Sequence, residues 1–160
     1  MTLALKASSQ RVQDFLDQHG VELKVKQMTE STRTAAEAAD ALGCQIGQIA
    51  KSLIFKNKAT GTPVLLVASG ANRVDTKKVE KATGIKLGRA DADYVREHVG
   101  YVIGGVPPIA HSQALTTYLD PDLQNYSTVW AAAGTPNSMF ELACDQLEKL
   151  TQGAWIEMAQ

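Results

Sequence analysis

Lys51 is the residue best suited to take part in a chemical reaction, and it lies between two apolar segments. Ile49-Ala50 precede it, and Leu53-Ile54-Phe55 follow after Ser52. Lysine is rarely buried without a partner, because its ammonium group loses hydration in apolar surroundings. At the start of an inner strand, Lys51 can hold this ammonium in a pocket, beside a phosphate group or an ester carbonyl. The alternative is an exposed lysine that protects the edge of a sheet, and the residue types leave both open.

A second feature is a glycine-proline loop, Gly104-Gly105-Val106-Pro107-Pro108. Glycine permits positive φ and the close approach of a ligand to the backbone. The two prolines stiffen the loop and lack N–H donors, so the remaining N–H groups can point at one place and stabilise a developing oxyanion. A rigid turn at the end of a strand explains the same residues without a ligand, and this alternative also stays open.

Weaker candidates lie near these two features. His111 follows the loop and can act as an acid or base, although a lone histidine is more often a surface or hydrogen-bonded residue. Thr34 can contact a ligand, although its position as a helix N-cap explains it fully. A basic cluster can contact nucleic-acid phosphates or form a solvated face, and it consists of Arg73, Lys77, Lys78 and Lys81.

Several common chemistries lack their motifs. The sequence contains no GxGxxG, GxxxxGK[ST], GxSxG or HExxH motif. The two cysteines, Cys44 and Cys144, are far apart, belong to no CxxC motif and have no evident base beside them. We therefore predict two free thiols, no metal and no cofactor.

Composition limits the type of protein. The chain has 160 residues, a hydrophobic fraction of 44%, a charged fraction of 21% and a net charge of -1. These values predict a single domain over residues 1–160 and argue against a strongly cationic RNA coat protein. No segment has the roughly 20 apolar residues of a membrane span, and the N-terminus lacks a signal-peptide core. A cytoplasmic location is therefore the default expectation.

The elements that must position these residues follow from periodicity and capping. Helices are predicted over residues 8–19, 35–42, 46–49, 75–82 and 90–97. Strands are predicted over residues 22–27, 53–56, 64–68, 101–103, 116–119, 128–133 and 155–158, and residues 141–150 as a helix or a strand that passes into one. Thr34 and Glu37 have the spacing of a capping box. The irregular alternation predicts a mixed α/β domain around a largely antiparallel sheet or barrel.

Four segments occur in an informative order and spacing: TAAEAADALGCQIGQIAKSLIF, PVLLVASGANRVDTKKVEKATG, VGYVIGGVPPIA and AAAGTPNSMFELACDQLEKLTQG. Together they resemble the YbaK/EbsC family, which is related to the editing domain of bacterial prolyl-tRNA synthetase. The resemblance runs from about Ser31 to the C-terminus. It implies an α/β fold with a mixed, barrel-like sheet surrounded by helices. It also implies hydrolysis of the ester that joins an incorrect amino acid to tRNA.

The resemblance also implies roles for particular residues. The family's lysine falls on Lys51, which is implied to fix the terminal adenosine phosphate or the ester region. The family's GxxxP loop falls on Gly104 and Pro108, and backbone groups near Gly104 and Gly105 are implied to position the ester or the attacking water. We assign substrate binding to Thr34, Ser52, Pro108, His111 and Gly134. We assign tRNA binding to Arg73, Lys77 and Lys81.

The sequence departs from the family at two positions. Members that act on cysteinyl-tRNA carry a serine and an aspartate where this chain has Ala132 and Met139. A small amino acid such as alanine is therefore expected as the substrate side chain, with serine and cysteine as further candidates. The expected partners are mischarged tRNA and, as a second candidate, an aminoacyl-tRNA synthetase, but neither a membrane nor DNA.

Two other functions remain open on the sequence. One is a non-catalytic module of the same fold that binds tRNA or a synthetase, and the other is a hydrolase of small-molecule esters or amides. For the expected deacylase, the chain offers no convincing pair of nucleophile and base. Hydrolysis is therefore predicted to proceed without a metal or a covalent intermediate, with water or a substrate ribose hydroxyl providing the acid-base function.

Overall fold

An eight-stranded mixed sheet organises the chain, and the computed structural model describes it over residues 5–160. Its strands are β1 Lys26–Gln27, β2 Ile49–Asn57, β3 Pro63–Ser69, β4 Leu87–Arg89, β5 Thr116–Leu119, β6 Thr128–Ala132, β7 Ser138–Ala143 and β8 Ala154–Trp155. The α-helices are α1 Ala7–Gln18, α2 Ala35–Leu42, α3 Thr76–Thr83, α4 Ala92–Val99 and α5 Cys144–Thr151. Two short 3-10 helices cover Ile46–Gln48 and Pro121–Asn125.

The central strand β2 has one complete and one interrupted edge. The strand order is β1-β7-β6-β2-β3-β5-β8, and β4 pairs with β2 outside this path. Strand β3 is antiparallel to β2 along most of its length. On the other edge, β6 pairs with β2 only up to Ala50, and β4 pairs with it only from Phe55 onward. Within the described chain, residues 51–54 therefore have no strand partner on this edge.

Helices cover both faces of the sheet. All residues of β3 are buried, as the uninterrupted apolar run predicts. One face packs against α1 and α4 through Val12, Leu16, Val95 and Val99. On the other face, Val79 of α3 packs with Leu66, and Ala38 of α2 packs with Ile49 and Met139. Burial of each such aliphatic side chain stabilises the fold by about 1.5–3 kcal/mol, so these contacts hold the helices against the sheet.

The predicted fold class is confirmed. The sheet is mixed, most of its residue pairs are antiparallel, and the helices pack against it. Helix α2 has the predicted bounds, and the Thr34 hydroxyl accepts the N–H of Glu37 as its N-cap. The reciprocal half of the capping box differs, because the Thr34 hydroxyl itself donates to the Glu37 carboxylate at 3.1 Å. Residues 138–151 form a strand that passes into a helix, which was one of the two predicted forms.

The predicted strand over residues 101–103 is wrong, because this segment belongs to a loop. Gly100 ends α4 with a φ of 90°, and the N–H of Gly105 donates to Val102 O at 3.0 Å, which closes a turn. The buried Tyr101 donates its hydroxyl to Ala110 O at 2.7 Å. The apolar residues that suggested a strand thus comprise one core tyrosine and two exposed aliphatic residues, Val102 and Ile103.

Other predicted boundaries differ as well. The strand predicted over residues 53–56 begins at Ile49 and ends at Asn57, so it contains Lys51. Of the expected strand over residues 22–27, only Lys26–Gln27 pairs, because the side chain of Gln13 bonds to Leu23 O and Val25 N. The closing strand covers Ala154–Trp155 and not residues 155–158. Strand β4 was missed. None of the helices in residues 5–160 combines the length and the apolar character that crossing a bilayer requires.

Candidate active site

A cleft of about 320 Å³ lies over the unpaired stretch of β2. Lys51 and Ser52 line it from β2, and Gly104 and Val106 line it from the glycine-proline loop. Arg33 borders it from the segment that precedes α2. The interruption in the sheet therefore forms the cleft, and the loop after α4 covers part of it.

Lys51 is half-buried in this cleft. Its Nζ donates a hydrogen bond to Asn72 O at 2.6 Å. An ammonium group has three N–H donors, so two of them remain for a ligand. Burial lowers the pKa of Lys51 below its ordinary value, the negative charge of Asp120 opposes this effect, and the positive charge of Arg73 adds to it.

The carbonyl that holds Lys51 is itself fixed by a buried carboxylate. Asn72 Nδ2 donates to Asp120 Oδ2 at 2.9 Å and to Asp122 Oδ2 at 2.7 Å. Asp120 is only 1% exposed, and its Oδ2 also accepts the N–H of Ser69 at 3.0 Å. These bonds fix the loop after β3, and the loop in turn fixes the position of the Lys51 ammonium.

Arg33 is a cleft residue that sequence reasoning missed. Its side chain lies so close to Gly104 that a Cβ added there would be 2.6 Å from Arg33 Cγ. Gly104 also has a φ of 93°, which side chains rarely tolerate. In the described chain, neither Arg33 nor Lys51 has a carboxylate within ion-pair distance. The cleft thus has two cations, and a lone arginine in an exposed loop gave no sequence signal of this role.

Three hydroxyl groups line the cleft, and their hydrogen bonding differs. Thr32 donates to Pro136 O at 3.1 Å. Thr34 is committed to Glu37. The Oγ of Ser52 is buried and has no hydrogen-bond partner in the described chain. Since buried hydroxyls normally have partners, the hydroxyl of Ser52 is the one available to a ligand.

The backbone of the glycine-proline loop offers a different pair of donors from those expected. The N–H of Gly105 is committed to Val102 O, so it is not a free donor. A Cβ at Gly105 would lie 2.8 Å from the backbone of Thr135, so this glycine serves close packing. The N–H groups of Gly104 and Val106 donate to no acceptor in residues 5–160. Both residues line the cleft.

The structure does not bring all the predicted binding residues to this cleft. Pro108 and His111 line a separate cavity beside α1. His111 Nε2 bonds to Pro107 O at 2.7 Å, which braces the loop, and burial lowers the pKa of the imidazole. Gly134 donates its N–H to Gly105 O at 2.9 Å, and a Cβ there would lie 2.6 Å from Ser8 O. His111 and Gly134 therefore bond to the backbone of the loop and do not line the cleft.

The predicted basic cluster begins beside the cleft. Arg73 follows Asn72 in sequence and is close enough to affect the pKa of Lys51. Lys77 and Lys81 are exposed on α3. The fourth member of the cluster, Lys78, donates instead to Ala159 O at 2.7 Å. The exposed cations thus lie in the loop after β3 and on α3, and only Arg73 is shown to be near Lys51.

The remaining wall of the cleft is apolar. Ala132 and Met139, the two positions of family departure, are register partners in β6 and β7, and both line the cleft. No aspartate, glutamate, histidine or cysteine of the described chain lines it. The same residues 5–160 contain no group of three such side chains that can hold a metal ion. The arrangement can bind an anionic or carbonyl-bearing ligand, and it contains no side chain typical of a general base.

Comparison with known proteins gives a consistent family relationship. The model of the family described as "Aminoacyl-tRNA editing domain" matches residues 29–150. The uncharacterized protein YwhH of Bacillus subtilis (strain 168) is 31% identical over 154 residues, which cover 96% of this chain and 98% of YwhH. The "Putative Cys-tRNA(Pro)/Cys-tRNA(Cys) deacylase EbsC" of Enterococcus faecalis (strain ATCC 700802 / V583) is 32% identical over 149 residues, which cover 90% and 89% of the two chains.

A solved structure is similar over nearly the full chain. It is described as "a putative trans-editing enzyme for prolyl tRNA synthetase", is 42% identical and superposes with a TM-score of 0.92. The match covers 98% of this chain and 99% of the other. The resemblance to the YbaK/EbsC family, first based on four sequence segments, is therefore confirmed.

Proposed function

The chain belongs to the aminoacyl-tRNA editing domain family, and from this premise we propose that it hydrolyses the ester of mischarged aminoacyl-tRNA. The observation that carries the proposal is the cleft that Lys51 and Gly104 line together, with no carboxylate of the described residues 5–160 in its walls. The expected substrate side chain is small, such as that of alanine. The proposal places this activity in one domain of 160 residues that acts in the cytoplasm.

The reaction breaks the bond between the acyl carbon and the ribose oxygen. A water oxygen bonds to the acyl carbon, and the carbonyl oxygen gains negative charge in the transition state. One proton of this water is transferred to the leaving ribose oxygen, and the products are free amino acid and tRNA. The protein must therefore bind the terminal nucleotide, stabilise the oxyanion and position the water.

The two cations are placed for different parts of this substrate. Arg33 is exposed at the mouth of the cleft, where its guanidinium can bind the terminal phosphate, since arginine matches phosphate oxygens with two donors. Lys51 is half-buried and held by Asn72 O. Its two remaining N–H donors can face the ester carbonyl. A cation there is worth more than in water, because the surroundings are less polar.

The loop provides the second source of oxyanion stabilisation. The free N–H groups of Gly104 and Val106 border the same cleft as Lys51. Removal of one such donor typically costs about 2.7–4 kcal/mol of transition-state stabilisation. Since no carboxylate or histidine of residues 5–160 lines the cleft, the proton of the attacking water reaches the leaving ribose oxygen through a neighbouring ribose hydroxyl or solvent water.

The function is tested by replacing Lys51 with methionine, which keeps the unbranched apolar stem but removes the charge. We expect native protein to deacylate alanyl-tRNA, and K51M to lose at least about 100-fold in kcat/KM, as the loss of one oxyanion partner predicts. Circular dichroism and the free energy of unfolding should remain close to native, because only one hydrogen bond of Lys51 is lost.

The matched control is Lys149→Met, which removes an exposed lysine of α5 that lies outside both the cleft and the basic cluster. This variant should retain native deacylation. Equal activity of K51M and K149M would overturn the assigned role of Lys51. If native protein binds aminoacyl-tRNA but hydrolyses no ester, the chain is a non-catalytic binding module. Cleavage of free aminoacyl esters without preference for tRNA identifies a small-molecule hydrolase.

A further inference from the structure

A second, smaller compartment adjoins the Lys51 cleft. It has a volume of about 160 Å³ and shares five residues with the cleft: Ser52, Leu53, Ile103, Gly104 and Val106. Its remaining walls are Ile54 and Phe55 of β2, Ala90 before α4 and Val95 of α4. No charged residue in the described chain lines it. A substrate that reaches Lys51 and the loop backbone therefore borders an uncharged, largely apolar space.

The size of this compartment exceeds what alanine needs. An apolar cavity of about 150 Å³ accommodates a molecule as large as benzene. A methyl group alone would leave most of this compartment unfilled. Each additional buried CH2 group favours binding by about fourfold, so a larger aliphatic side chain should bind more tightly than that of alanine.

The boundary between cleft and compartment carries an unsatisfied polar group. Ser52 lines both spaces, and its buried Oγ has no hydrogen-bond partner in residues 5–160. A hydroxyl in this state is destabilising unless a ligand or a water bonds to it. Its position fits a ligand that has a polar group next to an apolar one. An esterified amino acid is such a ligand, because its α-carbon carries both the amino group and the side chain.

We propose that this compartment receives the side chain of the esterified amino acid, and that the substrate class extends to aliphatic side chains of about valine size. The inference rests on the proposed function, because it requires an aminoacyl ester beside Lys51. Ile103, which is 45% exposed, forms part of the shared wall and is covered when the compartment is filled. In this pose Ser52 Oγ accepts a hydrogen bond from the α-amino group of the substrate.

The test compares alanyl, valyl and leucyl esters of one tRNA with native protein and two wall variants. With native protein, kcat/KM for the valyl ester should exceed that for the alanyl ester by about 15-fold, as two additional CH2 groups at about fourfold each predict. Ala90→Leu fills the compartment, so it should lower the valyl value at least tenfold and leave the alanyl value within about threefold. Val95→Ala enlarges the compartment and should raise the ratio of leucyl to valyl hydrolysis.

The matched control is Ala92→Leu, the same substitution at an exposed position of α4 that does not line the compartment. It should leave all three values native. The inference is overturned, with the proposed function intact, if native protein hydrolyses the alanyl ester at least as well as the valyl ester. It is also overturned if both wall variants keep the native ranking. Hydrolysis of none of the esters would overturn the proposed function and the inference together.

Discussion

The pKa of the Lys51 ammonium group is set by opposing contributions. Burial lowers its pKa, Asp120 raises it, and Arg73 lowers it. Because the folded environment opposes the charged form on balance, the ammonium is lost at a lower pH than in an exposed lysine. If Lys51 acts as a cation, kcat/KM for deacylation is highest below the pKa of Lys51 and declines as the pH rises through that pKa.

The shift of this decline can be predicted for two variants. Asp120→Asn removes the negative charge, so the decline should move to lower pH. Arg73→Gln removes a positive charge, so the decline should move to higher pH. The measurement is the pH profile of kcat/KM from neutral pH upward, corrected for spontaneous ester hydrolysis. Profiles of both variants that coincide with the native profile would show that the charge of Lys51 does not control the rate.

Helix α2 positions one wall of the cleft through its first residues. The Thr34 hydroxyl accepts the N–H of Glu37 at 3.1 Å, and the helix ends at Gly43 with a φ of 68°. Because Arg33 and Thr34 line the cleft directly before the helix, the N-cap couples the stability of α2 to the shape of the site. The prediction that Thr34 binds substrate therefore concerns the shape of this wall, since its hydroxyl is already bonded to Glu37.

Loss of the Thr34 N-cap should lower stability, whereas a variant that keeps the hydroxyl should not. Thr34→Ala should lower the free energy of unfolding by about 1 kcal/mol, because one N–H at the helix start loses its acceptor. Thr34→Ser keeps the acceptor and should remain within a few tenths of the native value. Urea denaturation measures both. Equal stability of the two variants would show that the cap does not stabilise the helix.

Local signals in the sequence predict most helices, but they do not predict how strand β4 and the loop over residues 101–103 are placed around the site. Caps and glycines predict the ends of α2 and α3 to within one residue, because these signals act within a few residues, whereas α4 lies two residues after the predicted range 90–97. Strand β4 and the loop over residues 101–103 were not predicted, because strand pairing depends on partners distant in sequence. A short apolar run such as Tyr101-Val102-Ile103 is compatible with a strand until its partners are known.

The residues of the site also divide into those that were predicted from the sequence and those that depend on distant contacts. The resemblance brought Lys51 and Gly104 together before the structure did. Neither Arg33 nor the bonds of Asn72 to Asp120 follow from local sequence, because they depend on the positions of loops from different parts of the chain. The sequence also gave no reason to choose Val106 over Gly105 as a free N–H donor, since the choice depends on one turn hydrogen bond.

At the scale of the molecule, the net charge of -1 leaves tRNA binding to a local surface. The exposed cation Arg73 lies in the loop before α3, and Lys77 and Lys81 lie on α3. Neutralisation of RNA phosphates releases counterions, so affinity falls as salt rises. We propose that this surface contacts the tRNA backbone while the terminal nucleotide occupies the cleft.

The proposed surface predicts a change in salt dependence. Lys77→Gln and Lys81→Gln should each weaken tRNA binding and reduce the slope of log K against log salt by about 1. The rate of ester cleavage at saturating tRNA should stay native, because neither residue lines the cleft. Lys149→Gln, an exposed lysine of α5 outside the cluster, is the control. Native slopes in both cluster variants would contradict the surface.

The central claim is that this chain hydrolyses mischarged aminoacyl-tRNA at Lys51. The most direct measurement is the rate of ester loss from alanyl-tRNA and from a panel of other aminoacyl-tRNAs, with native protein and K51M in parallel. The predicted result is that native protein rapidly deacylates at least one aminoacyl-tRNA whose amino-acid side chain carries no charge. The deacylation rate of K51M should be lower by about 100-fold or more. Native protein that leaves every ester intact, or K51M that cleaves as fast as native, would contradict the claim.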